Sequence, residues 1–390
     1  MPPREIRDLT RGSWSRTNLV DINSVHILHT EWSNGAGGQE RRILSESVGM
    51  LKRGHRVTIA TGAQCWIAGE ARRLGIAVEI CPMRGKADLR AIRALIKFCR
   101  RENVDILHTH SGIDSWIGGI AAKFAGVPAV RTRHLFLPLK YNPINFVHYL
   151  FARFFALGET MRTMLVKECR FPADKVINIP TGIDFASFVP RFSRQEMRST
   201  LQIDDDAFVV LTVAVIRGVK RHDVALRAFK ILLATFPNSR YLIAGEGPMR
   251  SDMERLASEL GIDDAVRFLG HRTDVADLIR AADVMLLTSR SEAQSQALTQ
   301  SIGLGLPAVA TAVGGVPEVI LHEKTGLLVP PDDPGRTASA LLRIAKDPAF
   351  AKSLSDQGKT HALQHYSLEV MLDRSDAVYR QLCAKSGLPQ

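Results

Sequence analysis

The chain has 390 residues, 45% hydrophobic and 23% charged, with no biased tract; this excludes a disordered or fibrous protein, and the length exceeds what one core fills, so two globular domains are expected. No apolar run reaches the roughly 18–20 residues of a spanning helix, and "MPPREIRDLTRGSWSRTNLVD" lacks a signal-peptide centre, which leads to the expectation of a cytoplasmic protein. The net charge of +11 falls entirely in the first half: residues 1–190 hold 27 Lys and Arg against 16 Asp and Glu, and residues 191–390 hold 24 against 24.

Such asymmetry suits an anionic partner, whether nucleic acid, membrane surface or phosphorylated substrate, or else a solvated surface of no specific purpose. The five cysteines (Cys65, Cys81, Cys99, Cys169, Cys383) form no Cys-x-x-Cys pair and read as reduced bystanders.

From Val25 onward a short β-branched run, a turn, an amphipathic helix and a glycine recur. This is the signature of βα units around a parallel sheet. "VHILHT" (25–30) precedes a helix from about Gln39 to Arg53, which Gly54 ends before "RVTIAT" (56–61). A helix over 87–103 leads to "VDILHT" (104–109), and Gly126 and Pro128 close the helix after that. The segment 142–165, rich in aromatics with Arg and His, reads either as a surface helix touching lipid or as a core helix followed by the strand "FFAL". "FVPRFSRQEMRSTLQIDDDA" (188–207) is polar and reads as a connector, with Asp204, Asp205 and Asp206 solvated rather than metal-binding. The pattern resumes with "FVVLTVAV" (208–215), a helix over 224–235, and strands at 240–245, 266–270, 283–288 and 307–311; a last helix spans about 367–385.

Two doubly wound domains bind ligand at the carboxyl ends of their strands, across a cleft, so candidate chemistry is sought there. In "NGAGGQE" (34–40), Gly37 and Gly38 allow close backbone approach to a ligand, but Glu40 stands where a dinucleotide fingerprint needs glycine, and Thr61 and Gly62 offer no acid for a ribose. NAD is therefore weakly supported. His110 follows "DILHT" and reads either as a residue pointing into the expected cleft or as a structural core histidine, and "RTRH" sets Arg131, Arg133 and His134 at a strand end where anions could be held. "RGVKRHD" places Arg217, Lys220 and Arg221 before a helix, either as a phosphate site or as a solvated basic loop. "GEGPMR" (245–250) supplies Gly245 and Gly247 in another strand-end turn, as candidates for donor binding. In "EAQSQALTQ", a helix beginning near Ser295 presents free amides from Ala293, Gln294, Ser295 and Gln296 to a diphosphate, flanked by Glu292 and, eight residues on, Gln300.

The ordered set "GAGGQE", "DILHTH", "IPTGID", "RGVK", "GEGP", "SEAQSQALTQ" and "GGVPEVI…TGLLVPPDD" resembles the retaining glycosyltransferase family 4, the group 1 glycosyl transferases, over about residues 24–380. The resemblance implies a GT-B fold: two facing Rossmann-like α/β domains with a cleft between them. The expected divisions are an N-terminal extension (1–23), an acceptor-binding domain (24–190), a linker (191–206), a nucleotide-sugar-binding domain (207–366) and a C-terminal helix crossing back (367–390). It further implies that His110 lies by the transferred sugar, Arg217 and Lys220 stabilise the leaving diphosphate, Glu292 contacts the sugar, and Gly37 and Gly38 approach phosphates and acceptor. Gln300 would hold the ribose where the family usually has glutamate, and Val215 stands about where the family's strand-end arginine falls.

The implied activity is transfer of a sugar from a nucleotide sugar, UDP- rather than GDP-linked, with retention and without a cofactor or obligatory metal. Its acceptor would be a glycolipid or polyprenyl-linked compound in surface polysaccharide or lipopolysaccharide assembly, with docking on an anionic leaflet and no nucleic acid. A sugar-nucleotide 2-epimerase of the same fold and a non-catalytic sugar-nucleotide-binding protein are the alternatives.

Overall fold

The structure, a computed structural model, describes residues 24–139 and 143–385; the extension expected at 1–23 and the tail beyond 385 lie outside the described residues. The first half comprises β1 (His26–Glu31), α1 (Gly38–Lys52), β2 (Arg56–Thr61), α2 (Trp66–Arg73), β3 (Ala77–Ile80), α3 (Leu89–Arg101), β4 (Ile106–Thr109), α4 (Gly112–Ala125), β5 (Ala129–Thr132), a 3₁₀ segment (Pro143–Leu150), β6 (Arg153–Ala156), α5 (Glu159–Lys167) and β7 (Val176–Asn178). The second comprises α6 (Arg194–Thr200), β8 (Phe208–Val213), α7 (His222–Thr235), β9 (Ser239–Ala244), α8 (Arg250–Glu259), β10 (Val266–Gly270), α9 (Val275–Ala281), β11 (Val284–Leu287), α10 (Gln296–Gly303), β12 (Ala308–Thr311), α11 (Val316–Val319), β13 (Leu327–Val329), α12 (Pro334–Lys346), α13 (Pro348–Tyr366) and α14 (Leu368–Lys385).

Both sheets are parallel. The first has seven strands in the order β3-β2-β1-β4-β5-β6-β7 and the second six in the order β10-β9-β8-β11-β12-β13. β4 and β11 are covered on both faces and buried at every position; β11 is apolar throughout, whereas β4 ends in His108 and Thr109. In each sheet the direction of winding reverses once, between β1 and β4 and between β8 and β11. At such a point the two following loops diverge and leave a crevice for ligand.

Within the segment 142–165 the described residues 143–165 form the 3₁₀ turn, β6 and the first turns of α5, so the strand reading of "FFAL" holds, shifted to Arg153–Ala156, and no long helix forms among them. The segment 191–206 is more than a polar connector. It contains α6, whose Arg198 is buried and donates to the carbonyl oxygens of Ala281 (2.9 Å) and Asp205 (2.7 Å) and to the Asp283 carboxylate (2.7 Å). A cation that collects backbone carbonyls and a carboxylate buries well despite its charge, which polarity along the sequence does not reveal.

The chain crosses between the halves at 179–184 and again before α14. The crossings pair: Ile183 N–H donates to Tyr366 O at 2.8 Å and Leu368 N–H to Ile183 O at 2.9 Å. Gly182 is required by proximity, since a Cβ there would lie 2.7 Å from the Leu368 Cα and 2.7 Å from the Ser367 carbonyl oxygen. Gly182→Ala is expected to cost about 1–3 kcal/mol through this overpacking. Urea denaturation followed by circular dichroism should show a lowered midpoint; an unchanged midpoint would mean that the crossings do not press together.

Candidate active site

The loops after β8 and β11 meet because those strands are neighbours at the reversal of the second sheet. There the Lys220 ammonium pairs with the Glu292 carboxylate, whose Oε1 also accepts from Ser289 Oγ at 2.6 Å. Glu292 is 8% exposed. Thr288 Oγ1 binds the carbonyl oxygens of Lys220 (3.1 Å) and Arg221 (2.9 Å), and Arg290 N–H donates to Val219 O at 2.8 Å, so one loop carries the other.

Glycines shape this region by letting backbone rest on backbone. Gly314 has φ +52°, and a Cβ there would sit 1.9 Å from the Glu292 carbonyl oxygen; Gly315 N–H donates to that oxygen at 3.0 Å. Gly245 and Gly247 press in the same way on Ala214 O and Ile216 O. Their glycine character is thus explained by packing beneath the Lys220 loop. Ser295 caps α10, its Oγ accepting from Leu298 N–H at 3.3 Å, as the sequence suggested. Gln300 is half-buried on that helix, while Arg217 is exposed at the start of a short 3₁₀ turn. Gln294 and Gln296 reach across the cleft: Gln294 holds the backbone of Thr181, and Gln296 Nε2 donates to Gly38 O at 2.8 Å.

On the first half, the residues at the β1/β4 reversal are buried and polar. His29 and His108 are register partners, and His110 follows on the same face. Ring centroids stand 5.0 Å apart for His29–His108, 5.2 Å for His29–His110 and 4.3 Å for His108–His110. His29 Nδ1 meets His110 Nε2 at 2.9 Å, and His110 Nδ1 meets His134 Nε2 at 3.2 Å. Burial drives His29 down to about 4, and burial followed by neighbouring histidines holds His108 and His110 well below the usual range. His110 therefore sits inside a neutral histidine stack rather than projecting freely into the cleft.

Nitrogens of His29, His108 and His110 lie within 4.8 Å of one another, close enough for a metal ion. However, both His108 nitrogens are already engaged, by Tyr379 OH (2.7 Å) and Thr132 Oγ1 (2.8 Å), and the rings are tilted against each other face to face.

Arg131 is buried and donates to His148 Nδ1 at 2.7 Å, and burial lowers its guanidinium to about 9. Arg133 donates to Leu137 O at 2.7 Å, fixing the loop after β5. Gly37 N–H donates to Glu40 Oε2 at 2.9 Å, so the residue that departs from a dinucleotide fingerprint serves as the cap of α1.

Sequence reasoning missed Glu31, at the end of β1. It is fully buried, accepts from Ser33 N–H at 2.9 Å and from the Gln39 amide, and is pushed up to about 8 by burial and by Asp114. The signal available was an acid directly after an apolar strand. Glu318 was missed too: it takes the N–H groups of Glu159 (2.6 Å) and Thr160 (2.8 Å), capping α5 from the other half.

The model for Glycosyltransferase Family 4 matches residues 36–187, and that for Glycosyl transferases group 1 matches residues 193–361. A D-inositol 3-phosphate glycosyltransferase of Saccharomonospora viridis is 30% identical, covering 96% of each chain. The UDP-Gal:alpha-D-GlcNAc-diphosphoundecaprenol alpha-1,3-galactosyltransferase of Escherichia coli is 26% identical over 67% of this chain and 71% of its own. Among solved structures, Anabaena HepE in complex with UDP and glucose superposes with TM-score 0.81 at 17% identity, covering 92% of this chain and all (100%) of its own. A Rickettsia africae glycosyltransferase reaches 0.83 at 19% identity, with 92% and 99% coverage. The expected two-domain GT-B fold is present.

The buried titratable groups dictate a pH profile. His29 titrates near 4 folded against an ordinary 6.5, and His108, His110 and His134 shift the same way. The unfolded chain therefore takes up protons that the fold refuses, and stability present above about 6.5 is lost as pH falls toward 4. Glu31, raised from 4.5 to about 8, acts oppositely: its contribution is full below 4.5 and lost as pH rises through 8. Melting temperature should peak near pH 6.5, falling more steeply on the acid side, and Glu31→Gln should flatten the alkaline side. A profile without an acid slope would contradict the neutral histidine stack.

Proposed function

The chain belongs to the glycosyltransferases of group 1 and family 4, and from that premise we propose that it moves a sugar, with retention, from a UDP-sugar held against the second half to a hydroxyl of a glycolipid or polyprenyl-linked acceptor held against the first. The observation that carries this reading is the Lys220–Glu292 pair at the β8/β11 reversal, beside the capped start of α10. A departing nucleoside diphosphate gains negative charge as its bond to the sugar breaks. Lys220, Arg217 and the first amides of α10 stabilise that charge, and no resident metal is assigned to the step. Glu292, oriented by Ser289, contacts the sugar, and Gln300 holds the ribose. His110, neutral and with both ring nitrogens on His29 and His134, supports the wall beside the sugar and is assigned no proton transfer. With retention, the acceptor attacks from the face that the diphosphate leaves, and a diphosphate oxygen is placed to take its proton.

UDP is favoured by the UDP bound to HepE, and a lipid-linked acceptor by the undecaprenol substrate named for the E. coli relative. Among the described residues no helix is long and apolar enough to cross a membrane. Peripheral docking on a cytoplasmic leaflet is supported by α3 and α4. Lys97, Arg100 and Arg101 are exposed on α3, and Arg100 donates to the carbonyl oxygen of Phe124, itself 65% exposed at the end of α4.

Glu292→Ala and Lys220→Ala are each expected to lower kcat by about 100-fold or more, roughly 3 kcal/mol of lost transition-state stabilisation. The measurement is nucleotide release from the UDP- or GDP-sugar that most raises the melting temperature. Near wild-type turnover in both folded variants would sink the donor-site reading.

Neutralising Arg72, Arg73, Lys97, Arg100 and Arg101 is expected to abolish co-sedimentation with vesicles containing acidic lipid, since each such residue contributes only about 1 kcal/mol near the surface. Wild-type binding should weaken with salt as screening shortens the attraction. Equal binding to neutral vesicles would point to apolar insertion, and none at all to a soluble acceptor.

A further inference from the structure

Gln294 lies in the loop that carries Glu292 and Gln296 opens α10 directly after it, yet both side-chain amides are engaged on the opposite half. Gln294 grips Thr181 at two points: its Oε1 accepts the Thr181 N–H at 2.6 Å, and its Nε2 donates to the Thr181 carbonyl at 3.0 Å. Reversing the amide would set donor against donor and acceptor against acceptor, so the contact has one orientation. Gln296 donates to Gly38 O at 2.8 Å, and a Cβ on Gly38 would lie 3.1 Å from that amide nitrogen. Just before them, Ala293 packs on the core of the first half. Thr181 is itself held, its Oγ1 accepting from the buried Arg42 at 3.1 Å. The residue after it, Gly182, donates to Met371 Sδ at 3.2 Å, beside the paired chain crossings.

We propose that Gln294 and Gln296 are positioning residues that tie the approach of the two halves to the shape of the Glu292 loop, and that neither side chain is a ligand of the nucleotide sugar. The inference rests on the donor reading given above for Glu292 and Lys220. With its carbonyl and amide both taken by Thr181, Gln294 has its recognition groups committed as long as the halves are together. Separating the halves breaks these contacts and frees the loop. The donor side is then fully shaped when the acceptor side is in place, and hydrolysis of the sugar nucleotide by water is suppressed while the cleft stands open.

The test compares full-length wild type with Gln294→Leu, which loses both bonds at similar size, Gln294→Glu, which keeps the acceptor for Thr181 N–H, and Gln296→Ala. Three quantities are read: UDP affinity by calorimetry, radius of gyration by small-angle scattering with and without UDP, and kcat and KM for the nucleotide sugar that best stabilises the wild type.

The expected result is UDP affinity and KM within about twofold of wild type, a larger radius of gyration, and kcat lowered about tenfold or more in Gln294→Leu, with Gln294→Glu in between. A tenfold loss of UDP affinity at unchanged radius would make Gln294 a ligand and overturn the proposal; so would a Gln294→Leu protein matching wild type in all three. If Gln294→Leu does not fold, Gln294→Glu and Gln296→Ala are judged by the same criteria. A wild type that binds no nucleotide would overturn the donor reading, and this inference with it, whereas a wild type that binds and variants that behave identically to it overturn this inference alone.

Discussion

The two passages of the chain between the halves bond to each other, and most of the interface depends on that. Once Ile183 lies between Tyr366 and Leu368, α14 must run back over the first half. It is anchored there at several points. A Cβ on Gly49 of α1 would fall 2.3 Å from Leu372 Cδ1, Arg53 binds Glu369 and Asp373 at 2.6 and 2.8 Å, and His55 Nε2 meets Asp376 at 3.1 Å. Tyr379 is buried, its hydroxyl donating to Glu46 at 2.7 Å and meeting His108. With its last helix fastened to the first half and its first strand reached through Gly182, the second half keeps mainly rotation about the crossings.

The same anchorage accounts for the polar interior beneath α1 and α14. Burying Arg42 with its Nε 3.7 Å from Glu46 and little other compensation would be unfavourable, and among the described residues Nε and Nη2 make no hydrogen bond. What offsets it is that Arg42 also takes Ile179 O and Thr181 Oγ1, both at 3.1 Å, fixing the outgoing chain passage. The histidines cost less because they stay neutral: each proton refused spares a charge in a region that already holds Arg42. A continuous path of hydrogen bonds and one ion pair thus joins His108, Tyr379, Glu46, Arg42, Thr181 and Gln294. A rotation of the halves disturbs it at its Thr181–Gln294 end, where solvent is nearest.

The order of strands, the glycine stops and the cap at Ser295 were legible because they are local. Gly54 and Gly126 take the left-handed conformation the sequence pattern demanded, and β2 and β10 begin and end where their apolar runs do. The convergence of Lys220 and Glu292 was legible once two parallel sheets were expected, because strand-end loops share one edge. What could not be read was which partner each polar side chain would choose. Gly245 and Gly247 look the same whether a phosphate or a neighbouring carbonyl approaches them, and the structure supplies Ala214 O and Ile216 O. Gln294 sits among residues suited to a diphosphate, yet its partner, Thr181, lies 113 positions away. Glu31 acquires its character from burial and from Asp114, another feature of assembly rather than of local sequence.

The Lys220–Glu292 pair addresses a difficulty common to sites that must receive a diphosphate. A lone ammonium in a half-buried crevice would be costly to keep, and one left mobile would lose its advantage to reorganisation when charge develops. Pairing it with Glu292 compensates the charge in the free protein. Fixing Glu292 through Ser289 Oγ, and its backbone through Gly315 N–H, sets where the ammonium waits. On the proposed reading, an arriving diphosphate would share an ammonium that is already partnered, while the carboxylate, partly released, would turn its acceptor capacity toward sugar hydroxyls. One coupled pair would then meet both ends of the donor, in keeping with two loops of different βα units packed backbone to backbone.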